Sequence, residues 1–399
     1  MTTDRPVADP AENAATPGHV TVVAGHQRRW PWITLLIVVA LAVAAVAAWL
    51  VTGPDATSSG QAAREDLKSA QLALINAPGV HYTGSLSRSD GRAPSLDVRV
   101  TNAGVASGTI DYGSGRTLTY LAVGGKTFLQ GGKDAWIAHG VAPEIAEQVG
   151  DYPQLQPAKI LHVDMAVQLK PESLARQLGP SPGRSELVTR GAATIIDGQA
   201  VDGLTSGSIT TYLVSGRARR ITAPTFDVTA TPMTADEVAR LYSELRPTVA
   251  ALDYATDSEA TVTVALSMVG SPYGPVCLAV ADVTSTPKPF AAGNVPDVTP
   301  PADDVFVAYD TVITMGDAVT PHPECGGVMQ MTRRGTARLH CGFFSRDGQP
   351  ANIVMALRPV LGRDRADALV AAFDDAAKQS SDRAKCTVTS LSDTATPHC

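Results

Sequence analysis

The chain has 399 residues and a formal net charge of -7, from 32 basic and 39 acidic side chains. This acidic balance argues against nucleic acid as a partner, because phosphate backbones are bound mainly through Lys and Arg. Charged residues make up 18% of the chain and aromatic residues 5%, beside 34 glycines and 28 prolines. Such a composition is typical of β-rich domains with many turns rather than of helical bundles.

The first predicted element is a transmembrane helix at residues 30–52, which follows a disordered cytoplasmic tail at residues 1–29. Its core, Trp32–Thr52, carries no charge, and a helix of this length spans about 30 Å, the thickness of a hydrocarbon core. Two arginines precede it, and the next basic residue is Arg64. The positive-inside rule therefore places the N-terminus in the cytoplasm and the bulk of the chain outside.

Two other interpretations of this segment stay open. Ala45-Val46-Ala47 supplies the small residues of a signal-peptidase site, although the apolar run is longer than that of a usual signal peptide. A buried core helix fits poorly, because the segment is apolar on every face. We favour an uncleaved single-pass anchor in the cell membrane, followed by a flexible linker at residues 53–60.

The next segment changes from a helical period to a strand period. A helix is predicted at Gln61–Asn76, because its apolar side chains fall on one face. Short alternating segments follow, separated by Gly, Asp or Ser, and predict an antiparallel meander with tight turns. These segments are His81–Arg88, Leu96–Thr101, Val105–Tyr112, Thr117–Val123 and Thr127–Gln130, and Trp136-Ile137 is expected to begin another strand.

The helical period returns between Pro143 and Leu178. Helices are predicted at Pro143–Val149, Pro157–Leu161 and Pro171–Leu178, each opening with a proline that the first helical turn tolerates. Strands are predicted again beyond Pro182. They are Glu186–Arg190, Ala192–Ile196, Gly207–Val214, Ala218–Ala223 and Thr225–Thr231.

Several short patterns follow one another in a familiar order: GVHYTGSL, GGKTFLQGGKDAWIAHG, PAKIL, PESLARQL, IDGQAVDG and YLVSGRARRITAP. By these patterns, residues 61–232 resemble the LppX/LprG family of mycobacterial lipoproteins, which belongs to the wider group of LolA-like lipid carriers. The resemblance implies an antiparallel β half-barrel with covering helices, an apolar cavity, and a lipid or lipoglycan ligand. The chain departs from the family by its transmembrane anchor, in place of a lipidated Cys, and by its C-terminal part.

If such a cavity exists, its walls are apolar and aromatic side chains of the strands and of the helices that follow. The sequence does not distinguish this role from ordinary core packing. The candidate lipid-binding residues are Leu118, Tyr120, Phe128, Trp136, Ile160, Leu161, Met165, Val167, Leu174 and Leu178.

A domain boundary is predicted near residue 233. Thr234 and Glu237 have the spacing of a capping box, before a helix that Pro247 is expected to end. We interpret residues 233–399 as a small disulfide-bonded α+β domain with a Pro-rich loop at 285–303. Its predicted elements are strands at Thr261–Met268, Val276–Val283, Val305–Met315, Val328–Thr332, Thr336–Phe344 and Asn352–Leu357, and a helix at Asp364–Lys378.

The five cysteines all lie in this last part, which is predicted to be outside the membrane, where disulfides form. Two disulfides and one unpaired cysteine are expected. The preferred pair is Cys325–Cys341, because a hairpin around Arg334-Gly335 would bring these two nearly opposite. The other cysteines are Cys277, Cys386 and Cys399.

No motif for catalysis or cofactor binding is complete. Gly124-Gly125-Lys126-Thr127 resembles the end of a phosphate-binding loop, but Tyr120 stands where that loop requires its first glycine. Zinc is disfavoured, because the His/Cys pairs lack the usual ligand spacing. These pairs are His322 with Cys325, His340 with Cys341, and His398 with Cys399. We therefore expect no catalytic residue, no metal and no cofactor.

The predicted protein is α+β, non-enzymatic and anchored in the cell membrane. Its expected function is to bind a lipid or lipoglycan in the cell envelope. The expected partners are that ligand, the cell membrane and other envelope proteins. Two alternatives remain: an envelope assembly or scaffolding protein with no bound lipid, and a hydrolase or metal-binding domain at the C-terminus.

Overall fold

An eleven-stranded antiparallel sheet dominates the part of the chain that the computed structural model describes. Chain contacts group Ser59–Cys399 into one unit and Met1–Ser58 into another. None of the described helices is both long and apolar enough to cross a membrane. The predicted anchor at 30–52 and the tail at 1–29 lie outside the described residues. These are 54–87, 91, 93–149, 151–156, 163–179, 188–258, 260–269, 277–287, 304–315, 318–321, 325–343 and 351–391.

The strands of the large sheet form two meanders that meet where β1 pairs with β11. Their order across the sheet is β6-β5-β4-β3-β2-β1-β11-β10-β9-β8-β7. The predicted antiparallel organisation of residues 61–232 is therefore confirmed. The strands are β1 (Gly79–Leu86), β2 (Ser95–Thr101), β3 (Ala106–Asp111), β4 (Thr117–Val123), β5 (Lys126–Gln130), β6 (Gln154–Gln156), β7 (Thr189–Ile196), β8 (Gln199–Ser206), β9 (Ile209–Val214), β10 (Arg217–Ala223) and β11 (Phe226–Met233).

Two strand predictions in the second meander were wrong. The segments predicted on either side of Gly191 are a single strand, β7, whose pairing with β8 is irregular between Arg190 and Ala193. Strand β8 was missed, although Asp197 with Gly198 marks the turn before it. Asp197 has a positive φ of 51° there, the backbone conformation of a tight hairpin turn.

Helices pack on both faces of this sheet. They are α1 (Pro54–Ile75), α2 (Lys133–His139), α3 (Pro143–Val149), α4 (Met165–Gln168), α5 (Pro171–Leu178), α6 (Ala235–Ala250) and α7 (Arg363–Arg383), with a 3-10 turn at Leu252–Tyr254. The bounds of α3 and α5 are those predicted. The helix predicted at Pro157–Leu161 lies outside the described residues.

Three predictions need correction where the structure has helices. Helix α1 begins at Pro54, so the described residues 54–60 are helical rather than a flexible linker; proline is tolerated in a first turn. Trp136 lies in α2 and not in a strand, and Gly140 ends that helix in the left-handed conformation. Helix α6 opens with the predicted capping box of Thr234 and Glu237, but it continues past Pro247 to Ala250.

The two faces of the large sheet have separate apolar cores. The inner core lies between the sheet and helices α1 to α5, and includes the α1 stripe Ala63, Leu67, Ala70 and Leu74. The outer core lies between the opposite face of the β4–β6 end and helices α6 and α7. The outer core crosses the predicted boundary at residue 233, because α6 and α7 follow that boundary in the chain.

Two small sheets complete the fold and pack face to face through a third apolar cluster. Single bridges of Thr256 to Gln154 and Val360 connect this region with the large sheet. One small sheet has β12 (Ala260–Val269), β13 (Cys277–Pro287) and β17 (Thr336–Phe343), and the other has β14 (Asp304–Met315), β15 (Ala318–Pro321), β16 (Gly327–Thr332) and β18 (Ala351–Val360). Residues 285–287 of the predicted Pro-rich loop thus belong to β13, and 288–303 lie outside the described residues.

The predicted disulfide Cys325–Cys341 is confirmed, with the two Cα atoms 5.5 Å apart. The reason given for it was wrong, because β16 and β17 do not pair as a hairpin: the chain passes from one small sheet to the other at residues 333–335. The disulfide joins these two sheets. Cys386 is also disulfide-bonded.

Candidate functional site

The candidate site is the inner core, where the structure brings together most of the predicted lipid-binding residues. The predicted residues that lie in this core are all buried, with exposed fractions of 0–1%. They come from the sheet and from three of the helices above it, α2, α4 and α5. These residues are Leu118, Tyr120, Trp136, Met165, Leu174 and Leu178.

The other predicted residues lie elsewhere. Phe128 packs in the outer core, because Leu129, its neighbour on β5, occupies the inner face and alternate strand residues point to opposite faces. Val167 is 56% exposed, two positions beyond the buried Met165 on the short helix α4. Ile160 and Leu161 lie outside the described residues.

The inner core is closed around its six predicted residues. Exposed fractions of 0–1% leave these side chains almost no surface that water can reach, either from bulk solvent or from an internal cavity. In the described part of the chain, this apolar face is therefore packed against its helices in the manner of an ordinary protein interior.

One row of the inner face crosses the sheet from β1 to β5. Strand register aligns Tyr82 with Val98, Val98 with Gly108, Gly108 with Tyr120, and Tyr120 with Leu129. Gly108 has no side chain, and a Cβ there would lie 2.0 Å from the carbonyl oxygen of Asp97. Neighbouring strands can approach this closely only where one of the facing residues is glycine. Glycine is common at positions where a sheet bends.

The inner core contains two buried polar atoms without hydrogen-bond partners in the described structure, Tyr82 Oη and Trp136 Nε1. Burial raises the pKa of Tyr82 far above its ordinary value, so its hydroxyl stays protonated and able to donate. Burial also raises the pKa of Tyr120, and the hydrogen bonds of its hydroxyl with Thr127 and with the main chain of Ala166 oppose that rise. An unpaired buried polar group of this kind costs about 1–3 kcal/mol.

The outer core pairs its buried polar atoms. Tyr242 Oη lies 3.1 Å from Thr101 Oγ1 and 3.0 Å from Ser380 Oγ, and the Ser380 hydroxyl donates to Asn102 Oδ1 at 2.9 Å. Thr101 Oγ1 also accepts from the main-chain N–H of Val105 at 3.1 Å. This network joins β2 to both α6 and α7.

The chain after α7 closes one end of the inner core. Val388 is buried there, and Asn76, just beyond α1, pairs with its backbone. The Asn76 side-chain amide donates to the Val388 carbonyl at 2.9 Å, and the Val388 N–H donates to Asn76 Oδ1 at 2.7 Å. The last described residues therefore hold the C-terminal end of α1 against the sheet.

The described residues contain no group of three His, Cys, Asp or Glu side chains placed to hold a metal. His322, His398 and Cys399 lie outside them. The buried carboxylate Asp257 lies 2.7 Å from Arg365 Nη1 and 3.8 Å from Arg333 Nη2. This ion cluster joins the start of β12, the β16–β17 connection and α7, so its evident role is structural.

Sequence reasoning missed Tyr82 as a site residue. The available signal was its place in the alternating strand GVHYTGSL, where Val80, Tyr82 and Leu86 share the buried face. A tyrosine on the buried face of a predicted strand needs a partner for its hydroxyl, and the sequence names none.

Comparison with known proteins gives little more. No protein-family model matches the chain, and no curated protein matches it. Among solved structures, the chain is similar to the complex of Pseudomonas aeruginosa MucA and MucB, at 13% sequence identity and a TM-score of 0.22. The match covers 77% of this chain and 96% of that one. A TM-score this low carries no argument for a shared fold or function.

Proposed function

We propose that the chain is a non-enzymatic lipid-binding protein of the cell envelope, anchored by residues 30–52 with its bulk outside the membrane. The observation that carries this proposal is the inner core: an apolar sheet face covered by helices, in which Tyr82 Oη and Trp136 Nε1 have no hydrogen-bond partner among the described residues. The resemblance of residues 61–232 to the LppX/LprG family supports the same function.

Because the inner core is closed, lipid entry requires the helix layer to separate from the sheet. Helices α2, α4 and α5 have seven, four and eight residues. Helices this short owe their stability to packing rather than to their own hydrogen bonds, so they can move as separate pieces. Acyl chains that replace them against the sheet gain about 0.8 kcal/mol per buried CH2, which offsets the lost packing.

The test is mass spectrometry of organic extracts from the purified full chain and two variants. Ala175→Leu adds volume to the inner core, where Ala175 is fully buried, whereas Ala239→Leu adds the same volume on an exposed face of α6. We expect Ala175→Leu to carry less lipid than wild type and Ala239→Leu to carry an equal amount. Lipid held by the anchor cancels in this comparison.

Absence of co-purified lipid, or equal amounts in all three proteins, would contradict lipid binding in the inner core. A folded state for Ala175→Leu is verified by circular dichroism before extraction, so that loss of lipid is not loss of structure.

A second candidate function, protein binding in an envelope assembly, is favoured by the closed inner core and by strand β12. This strand is at the edge of its small sheet, and Val264 and Leu266 are each 42% exposed there. They share a face with Val262, which packs against the apolar cluster between the small sheets. An apolar edge strand of this kind, which pairs with β13 alone among the described strands, suits a partner's extended segment.

The matching experiment is in-cell crosslinking of the wild type and of Leu266→Asp. We expect the substitution to abolish crosslinked partners under the protein-binding function and to leave extracted lipid unchanged. A crosslinking pattern identical to that of the wild type would count against β12 as a docking edge.

A further inference from the structure

The two polar atoms of the inner core that lack partners in the described structure are hydrogen-bond donors, and this restricts which ligands they can bind. The indole N–H of Trp136 can only donate a hydrogen bond, whereas the hydroxyl of Tyr82 can donate and accept. Both side chains are at least 99% buried, and neither polar atom has a partner in the described structure. A ligand that pairs with both must carry hydrogen-bond acceptors in the part that enters the core.

The two side chains reach the core from different layers. Tyr82 is on β1, in the middle of the sheet, and Trp136 is on α2, in the helix layer that lies over it. A molecule that enters between sheet and helices therefore meets one donor from each layer. A plain hydrocarbon has no hydrogen-bond acceptor, so neither donor gains a partner when it binds.

The lack of buried charged side chains in the described inner core argues against ligands that bury a charged group. Among the described residues, the buried side chains with a formal charge are Asp257 and Arg333, and both belong to the ion cluster outside the inner core. A phosphate or carboxylate taken into the inner core would meet no buried cation among the described residues, and burying an unpaired charge is strongly unfavourable. The acceptors that fit are uncharged oxygens.

We infer that Tyr82 and Trp136 determine ligand specificity: they select lipids with neutral acceptor oxygens, such as ester carbonyls or hydroxyls, in the buried portion. This inference rests on the proposed lipid-binding function. Any charged head group remains outside the inner core.

Binding is measured with the full chain in detergent and two neutral probes, dioleoylglycerol and squalene. Dioleoylglycerol carries two ester carbonyls and a hydroxyl, and squalene is a hydrocarbon. Tyr82→Phe removes one hydroxyl and leaves the ring. We expect it to weaken dioleoylglycerol binding about 3- to 10-fold, the range for one hydrogen bond, and to leave squalene binding unchanged.

Tyr242→Phe is the matched control, because its hydroxyl is also buried but is fully paired in the outer core. We expect it to bind both probes as the wild type does. Trp136 is followed separately in a chain whose other three tryptophans, Trp30, Trp32 and Trp49, are replaced by Phe. Its fluorescence emission should move to longer wavelength with dioleoylglycerol and stay in place with squalene.

The outcomes separate the inference from the function on which it rests. If the wild type binds neither probe, lipid binding itself is wrong, and the inference is overturned with it. If both probes bind and Tyr82→Phe weakens them equally or not at all, the specificity is wrong while lipid binding stands. If Tyr82→Phe lowers the melting temperature of the unliganded protein as Tyr242→Phe does, the hydroxyl has a partner of its own, such as a buried water, and the inference is overturned.

Discussion

The cores on the two faces of the large sheet differ in how their buried polar groups are hydrogen-bonded. In the outer core, Tyr242 shares hydrogen bonds with Thr101 and Ser380, and three elements are joined by them. In the inner core, Tyr82 and Trp136 are buried to the same extent or more, with no partner in the described structure. The difference comes from the neighbouring side chains, because the hydroxyls of Thr101 and Ser380 lie within hydrogen-bonding distance of Tyr242 Oη.

Under the proposed function, this contrast separates an outer face that stabilises the fold from an inner face that binds the ligand. A fully paired network stabilises the folded state, because breaking it leaves several polar groups without hydrogen bonds. Unpaired donors are a standing cost that an incoming ligand can remove. We therefore expect removal of the paired Tyr242 hydroxyl in the outer core to affect mainly unfolding, and removal of the Tyr82 hydroxyl in the inner core to affect mainly ligand binding.

The largest effect on folding is expected from Gly108→Ala in the inner face. A Cβ at this position would lie 2.0 Å from Asp97 O and 2.6 Å from Val98 Cα, both backbone atoms of β2. The strands must separate to admit it, so we expect the free energy of unfolding to fall by about 3 kcal/mol in urea denaturation. Gly132→Ala is the control, since no atom lies within 4 Å of its added Cβ.

An unfolding midpoint for Gly108→Ala equal to that of Gly132→Ala would show that the sheet does not approach this closely at β2 and β3. The account of how the inner face is shaped would then be wrong.

The next largest effect is expected from Asn76→Ala, which releases the segment that closes the inner core. The change removes two hydrogen bonds to the Val388 backbone and leaves its N–H and C=O without partners. We expect a loss of about 2 kcal/mol in the free energy of unfolding. Gln130→Ala removes a bond to the Asp151 carbonyl at an exposed position, and it should cost much less. Equal losses would mean that the C-terminal segment does not secure α1.

Tyr242→Phe and Tyr82→Phe compare the two cores directly. Tyr242→Phe leaves Thr101 and Ser380 short of a partner, so we expect it to lower the free energy of unfolding by about 1 kcal/mol. Tyr82→Phe removes a hydroxyl that has no partner in the described structure, so it should be neutral or slightly stabilising. The comparison fails if the two melting temperatures fall together.

The smallest effect is expected from a surface pair outside both cores. Two hydrogen bonds from Arg220 to Asp227, at 2.9 and 2.6 Å, lower the pKa of the Asp227 carboxyl. A lowered folded-state pKa adds stability above the unfolded-state pKa of about 3.9, and this stability is lost as pH falls through the folded-state value.

We therefore expect a small difference in melting temperature between wild type and Asp227→Asn at pH 7, which shrinks below about pH 4. Both side chains are more than a third exposed, so added salt should reduce the difference as well. A difference that stays constant from pH 7 to pH 2 would show that the carboxylate charge is not its source.

The sequence predicted most of the sheet because alternation and turn residues are local signals. Strands β2 to β5 and helices α3 and α5 lie within a residue or two of their predicted bounds. Trp136 was misassigned, because a helix of seven residues offers too few positions to display a helical period.

Tertiary contacts overrode local signals in the C-terminal part. Helix α6 passes Pro247, which costs one backbone hydrogen bond, because Val249 and Leu252 beyond it pack in the outer core. The turn at Arg334-Gly335 suggested a hairpin, yet β16 and β17 find partners in separate sheets. Such pairings depend on distant strands, which no local pattern contains.

Six predicted site residues do gather in the inner core, since apolar residues of strands and helices share the covered face. Phe128 shows the limit of this reasoning: the type of residue suggested a role, but its position on β5 assigned it to the other face. The unpaired state of Tyr82 and Trp136 depends on every neighbour in three dimensions and was not predictable.

The most direct test of this account is hydrogen exchange of the full chain with and without dioleoylglycerol, followed peptide by peptide. We expect exchange to change in α2, α4 and α5, which must move for lipid to reach Tyr82, and to stay the same in α6 and α7. Saturating ligand with no change in α2, α4 and α5, or with an equal change in α6 and α7, would contradict the assignment of ligand binding to the inner core.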